Sequence, residues 1–399
     1  MGFRKPLLLA IPPLALAALA SLGLGLAGLR ADWQEIGGLT WITDREGPQI
    51  TIAVPQGVVS GTITATVSIA DPSGARLTLL ALEDRPLPPS SPVVIDTTAL
   101  PDGEHALLVE AEDLSLRRNF TTKTAFFRSH NAAPALQVQV DPPAIGQGHV
   151  GTIHIRADEP FTLTAQLDGK PQPLFQDGES YWAIVAPGVE EEPGVRQLQL
   201  HAVDALGNER EYTAPITVTA VYYPTEAIAL PEDVLPLLAP DVVERESTRL
   251  AQIYGGFTPA KLWSGTFITP TVGWISSEFG LRRSYNGGPL GSPHGGLDLA
   301  ADQGTAVVAA NAGRVVLAEA LQVRGNTVVI DHGLGVYSAY FHLSEIEVSV
   351  GQTVRQGDPL GRVGSTGLST GPHLHWEMRV NGLAVQPREW VERQIVSAN

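Results

Sequence analysis

Five of the chain's ten histidines fall between positions 294 and 375, and two of them, His373 and His375, stand one residue apart in "GPHLHWEMRV". In a β-strand alternate residues share a face, so these two imidazoles project the same way, about 7 Å apart. Such a pair belongs either to a metal or hydrolytic centre or to a surface strand with two solvated histidines. Upstream, His294 opens "HGGLDLA", with Asp298 four residues on. That spacing suits a helix, but Gly295 and Gly296 weigh against one and favour a loop entering the strand "LDLA". His332 and His342 lie in "VVIDHGLGVYSAYFHLSEI".

The chain has no cysteine, so disulfides, thiol catalysis and thiolate metal sites are excluded. A metal here must be held by His, Asp or Glu. A catalytic zinc keeps three protein ligands and an open fourth position, and a His, Asp and His set suits such a borderline cation. The metal brings the pKa of water towards neutrality and polarises a scissile carbonyl. A further histidine, titrating near about 6.5, takes and returns a proton. There is no H-E-x-x-H, which rules out a helix-borne glutamate base of the thermolysin kind. With 42 acidic against 26 basic residues, the net charge of −16 argues against nucleic acid as a partner.

The elements that must position these groups read as mainly β. Residues 271–399 are rich in short β runs and glycine turns such as "ANAGRVV" and "RQGDPLGRVGSTG", with little room for long helices. Residues 223–270 lack alternation and form a short helical connector, with helical spacing at Val242, Leu250 and Ile253 and a stop at Gly255 and Gly256. Its "DVVERE" charge run reads as a solvated face. Before it, "GTITATVSIAD" alternates Ile63, Ala65, Val67 and Ile69 with threonine and serine, the period of a half-buried strand. Leu107, Val109, Ala111 and Asp113 at spacing two recur as Leu198, Leu200, Ala202 and Asp204. This repeat of roughly a hundred residues has the size of one sandwich. It predicts two β-sandwiches, over 40–133 and 134–222, similar to bacterial immunoglobulin-like modules. Their histidines, at 105, 130, 149, 154 and 201, read as structural or surface residues.

Residues 6–29 carry no charge. At about 1.5 Å per residue, a helix of that length exceeds the roughly 30 Å hydrocarbon core of a membrane. Arg4 and Lys5 would remain on the cytoplasmic side. Residues 1–30 are thus a signal anchor, or a signal peptide cut after Ala17 or Ala20. Either way the chain is exported to the cell envelope.

The three stretches "SSEFGLRR…PHGGLDLAADQGTAVVAANAGRVVLA", "GNTVVIDHGLGVYSAYFHLS" and "VRQGDPLGRVGSTGLSTGPHLHWEMR" together resemble the lysostaphin-type family of peptidoglycan zinc endopeptidases, over about residues 272–390. The resemblance implies that His294, Asp298 and His375 bind Zn2+. It implies that His342 and His373 act on water and intermediate. It also implies a small β-sheet domain with an open groove, cutting stem or cross-link peptides of peptidoglycan. The sandwiches would then carry the peptidase away from the membrane. The departure at Phe341, where a small residue is commoner, is expected to touch no ligand. Some domains of this family have lost ligands and serve as non-catalytic activators of cell-wall amidases; here the set is complete. His332 is expected in a turn or an outer contact, not as a ligand. Glu377 shares a face with His373 and His375, and either bonds to the ligand set or lines the groove in solvent.

Overall fold

The computed structural model describes Ile42 and residues 44–396. The segment 1–30, expected to anchor or export the chain, lies outside them. Among the described residues no helix is long and apolar enough to cross a membrane. Two compact units divide the chain after Ala132.

In the first unit, strands Gln49–Ala53, Thr62–Ala70 and Val93–Asp96 form one sheet. The facing sheet runs in the order Val58–Val59, Phe120–Ser129, Gly103–Asp113, Ala75–Leu82 and Arg85–Pro86. Alternation builds the core: Ile63, Ala65 and Val67 point inward from one sheet and meet Leu107, Val109 and Ala111 from the other. The intervening threonines, Thr62, Thr64 and Thr66, face solvent.

The second unit begins with a sandwich of the same kind, one sheet of five strands and one of four. Leu198, Leu200 and Ala202 meet Ile153, Ile155 and Ala183 across its core. The sandwich then continues into the rest of the unit without a polar break. Its Val150 and Ile184 share one apolar cluster with Trp263, Phe279 and Trp390. Hydrogen bonds follow the same seam: Gln386 N–H donates to the Gly148 carbonyl at 2.8 Å, and Val150 N–H donates to the Glu389 carboxylate at 3.0 Å.

The C-terminal part is built on an antiparallel sheet of β1 (Trp274–Ser277), β2 (Leu297–Ala300), β3 (Gly313–Leu321), β4 (Gly325–Gly333), β5 (Val336–Leu343), β6 (Thr353–Val354), β7 (His373–Val380) and β8 (Leu383–Val385). The order is β1-β2-β7-β5-β4-β3-β6, with β8 added beside β7. The central strand β7 alternates strictly. Leu374, Trp376, Met378 and Val380 enter the main core, so His373, His375, Glu377 and Arg379 share the opposite face.

Helix α1 (Pro240–Tyr254) starts with proline in its first turn and stops at Gly255. Its Leu250 and Tyr254 pack with Leu317, Val329, Tyr337, Ala339 and Phe341, on the face of the sheet that carries the histidines. The expectation that the "VERE" charge run is wholly solvated is corrected here. Glu246 is only 5% exposed, because it falls one turn before Leu250 and two before Tyr254, on the buried stripe. The connector also supplies a strand, Thr225–Ile228, which pairs in parallel with Arg282–Tyr285 of the hairpin leading to His294.

Candidate metal centre

Cross-strand register brings the site together. On β2 and β7, Asp298 lies directly opposite His375, and Ala300 opposite His373. His294 joins them from the loop before β2. Two glycines make this possible: a Cβ on Gly296 would lie 2.2 Å from the Trp376 carbonyl oxygen, and one on Gly295 would lie 2.7 Å from a Glu377 carboxylate oxygen. Only a chain without side chains there can press against β7 and leave His294 beside it.

Three side-chain atoms converge. His294 Nε2 lies 3.0 Å from Asp298 Oδ1 and 2.9 Å from His375 Nδ1; His375 Nδ1 lies 2.7 Å from Asp298 Oδ1. All three residues are buried. The outer atom of each is occupied. His294 Nδ1 is 2.7 Å from the Glu278 carbonyl, which only accepts, so Nδ1 carries the proton and Nε2 a lone pair. His375 Nε2 faces the Glu377 carboxylate at 3.1 Å, which likewise leaves a lone pair on Nδ1. The second oxygen of Asp298 takes the Arg283 guanidinium. Three lone-pair atoms therefore point at one another in a buried space, an arrangement that repels unless a positive charge lies among them. The donor set and its outer carboxylate and carbonyl contacts fit zinc.

A proton among these atoms would relieve the repulsion as a cation does, and the buried carboxylates favour positive charge there. Burial opposes ionisation of Asp298, but the neighbouring His294 and His375 hold its carboxyl well below the usual range. Burial pushes His294 down. On His375 burial is outweighed by the Asp298 and Glu377 carboxylates beside it, and the imidazole pKa is raised, so a cation taking the Nδ1 lone pair displaces a proton. Glu377, also buried, is kept ionised by Arg379, whose Nε donates to it at 2.7 Å.

His342 and His373 flank the trio. Their ring centres are 4.9 Å apart, and His342 is 6.1 Å from His375. His342 Nδ1 donates to the Thr366 carbonyl at 2.8 Å, and His373 Nδ1 to that of Gly371 at 2.8 Å. Each ring so keeps a free Nε2; that of His373 comes within 3.8 Å of Asp298. Burial, with His373 and His375 nearby, pushes the His342 pKa down to about 3. Burial lowers that of His373 as well. Both rings rest neutral.

His332 lies apart from this group, in the core, between the Ala312 carbonyl and the Ser338 hydroxyl, each at 2.7 Å. Glu377 takes the first of its two expected places, bonded to His375. The expectation for Phe341 is corrected: its ring stacks on His375 at 5.3 Å between centres, 7° from parallel, since the two residues are cross-strand partners. Sequence reasoning missed Arg283, the Glu278 carbonyl, Thr366 and Arg379. Arg379 was findable, since strand alternation puts it on the histidine face; no spacing signal marks the others.

Residues 292–387 match the description Peptidase family M23. Over 116 residues the chain is 48% identical to the DD-carboxypeptidase/endopeptidase Mpg of Neisseria meningitidis serogroup B, which covers 28% of this chain and 26% of Mpg. Over 98 residues it is 44% identical to the murein hydrolase activator EnvC of Escherichia coli, covering 25% and 23%. The chain thus spans about a quarter of the length of these curated relatives. A crystal structure of a peptidase M23 from Pseudomonas aeruginosa is 29% identical, covers 64% of this chain and 97% of its own, and has a TM-score of 0.46. The C-terminal domain of this chain, with the three converging residues inside the matched stretch, belongs to the lysostaphin-type peptidases of family M23.

Proposed function

We propose that the protein is an exported zinc endopeptidase that hydrolyses peptide bonds in the stem peptides or cross-links of peptidoglycan. The observation that carries this is the inward convergence of His294 Nε2, Asp298 Oδ1 and His375 Nδ1, with two neutral histidines beside them. Zinc held by these three residues would supply Lewis acidity, polarising a carbonyl and making water nucleophilic at neutral pH. The chain's own part is proton handling. His342 and His373 each present a neutral Nε2, able to take a proton from attacking water and return it to the departing amine. The Thr366 and Gly371 carbonyls fix the tautomer that this requires. Glu377 and Arg283 hold His375 and Asp298 in place from behind.

The similarity to EnvC raises a second reading, a non-catalytic activator of wall amidases. A full donor set and two tautomer-fixed histidines favour the enzyme. The two sandwiches act as immunoglobulin-like spacers. Supporting this, each has a short second strand, Val58–Val59 or Ala144–Gly146, running parallel to its last one. Residues 1–30 hold or export the chain, so that the site meets the wall outside the cytoplasmic membrane. Mass spectrometry of muropeptides released from purified sacculi by the zinc-loaded protein tests the activity. New peptide termini are expected, and their absence at any protein concentration favours the activator.

A further inference from the structure

The apolar stripe of α1 contains one buried charge, and its contacts lead to the site. Glu246 Oε2 accepts the Val323 N–H at 2.8 Å; its Oε1 accepts the Arg324 N–H at 3.0 Å and the Arg324 guanidinium at 2.8 Å. Two successive amides on one carboxylate pin the turn between β3 and β4. The same turn carries the surroundings of His342. The Arg324 carbonyl accepts the His342 N–H at 2.9 Å, and the Val323 carbonyl accepts the Leu368 N–H at 2.7 Å. Asn326 N–H donates to the Thr366 hydroxyl at 3.0 Å, and the Thr366 carbonyl receives the ring proton of His342.

His342 needs such support. Its φ of +62° lies in the left-handed region, which disfavours residues with a Cβ and persists only where the surroundings over-determine it. A second line runs from the same carboxylate. The Arg324 guanidinium lies 5.8 Å from the centre of the Phe341 ring, which stacks on His375.

We propose that Glu246 is a positioning residue for His342, and that α1, outside the stretch matched to the family, is a working part of the site. The inference rests on the hydrolase reading, in which His342 takes part in proton transfer. A buried ion pair that merely docks the helix is the alternative.

The test uses the full chain loaded with zinc. Glu246→Gln keeps the side chain's size but turns a donor amide towards an N–H. On purified peptidoglycan kcat is expected to fall about 10- to 100-fold, with KM within about twofold and one zinc retained. In a His342→Ala background the same change should leave the residual kcat unaltered, because the group being positioned is gone. A docking role lowers kcat in both backgrounds and overturns the proposal. With the histidine rings labelled with nitrogen-15, the Nδ1–H of His342 should give a protected signal that Glu246→Gln loses. Glu244→Gln, exposed on the same helix, should leave it unchanged. If Glu246→Gln does not fold, Arg324→Gln removes one of the three bonds and should act in the same direction, less strongly. Wild-type kcat with an unchanged His342 signal in Glu246→Gln overturns the proposal. A wild-type protein that releases no muropeptides refutes the hydrolase reading instead, and the imidazole signal then decides the role of Glu246 alone.

Discussion

The distances around Asp298 separate two kinds of side chain, and substitutions should separate them in the same way. Asp298→Ala removes one of the three converging atoms and the partner of both His294 and His375, so elemental analysis should find zinc largely lost while the sheet stays folded. Glu377→Gln leaves all three inner atoms but withdraws the carboxylate behind His375; zinc affinity should fall about 10- to 100-fold in a competition titration. His342→Ala and His373→Ala should keep one zinc per chain and lose turnover by about 10²-fold or more. Metal loss in either of the last two would make that residue a ligand. The inner five residues were legible in the sequence because their types are rare and their order is distinctive. What held them was not, since carbonyls such as those of Glu278 and Thr366 exist in every residue and carry no sequence mark.

Among the elements, β7 and α1 illustrate opposite degrees of legibility. A strand's period of two makes "HLHWEMR" readable at sight: four polar positions to one face and the apolar ones to the other. A helix buries a stripe whatever stands on it, so the identity of Glu246 pointed to solvent while its position pointed inward. Phe341 misled for a related reason: its stacking depends on cross-strand register, which spacing within one strand does not reveal. The helix owes its place to packing. Leu250 is 2% exposed among Leu317, Val329 and Phe341, so Leu250→Ala should lower stability by about 2–5 kcal/mol in denaturant titration. Activity should decline alongside if α1 detaches from the sheet. A loss confined to stability, with full turnover at low temperature, would show the helix to be a bystander.

At the scale of the whole molecule, the uncharged run at 6–29 and the basic pair before it predict retention at the membrane with the site outside. Cell fractionation and sequencing of the mature N-terminus check this. A soluble protein beginning near Ser21 would replace the tether with a cleaved export signal. The sandwiches were legible as alternation and repeat. The union of the second one with the peptidase domain was not, because Val150 and Ile184 look like ordinary core residues of their own sandwich. That union has a thermal consequence. Val150, Ile184, Trp263, Phe279 and Trp390 belong to one cluster, so residues 133–399 should melt in a single calorimetric transition, with no separate endotherm for a free-standing peptidase. A protease or a gene fusion that parts the chain near 270 would separate Val150, Ile184 and Trp263 from Phe279 and Trp390, so the fragment that inherits the five site residues would also inherit an apolar face open to water.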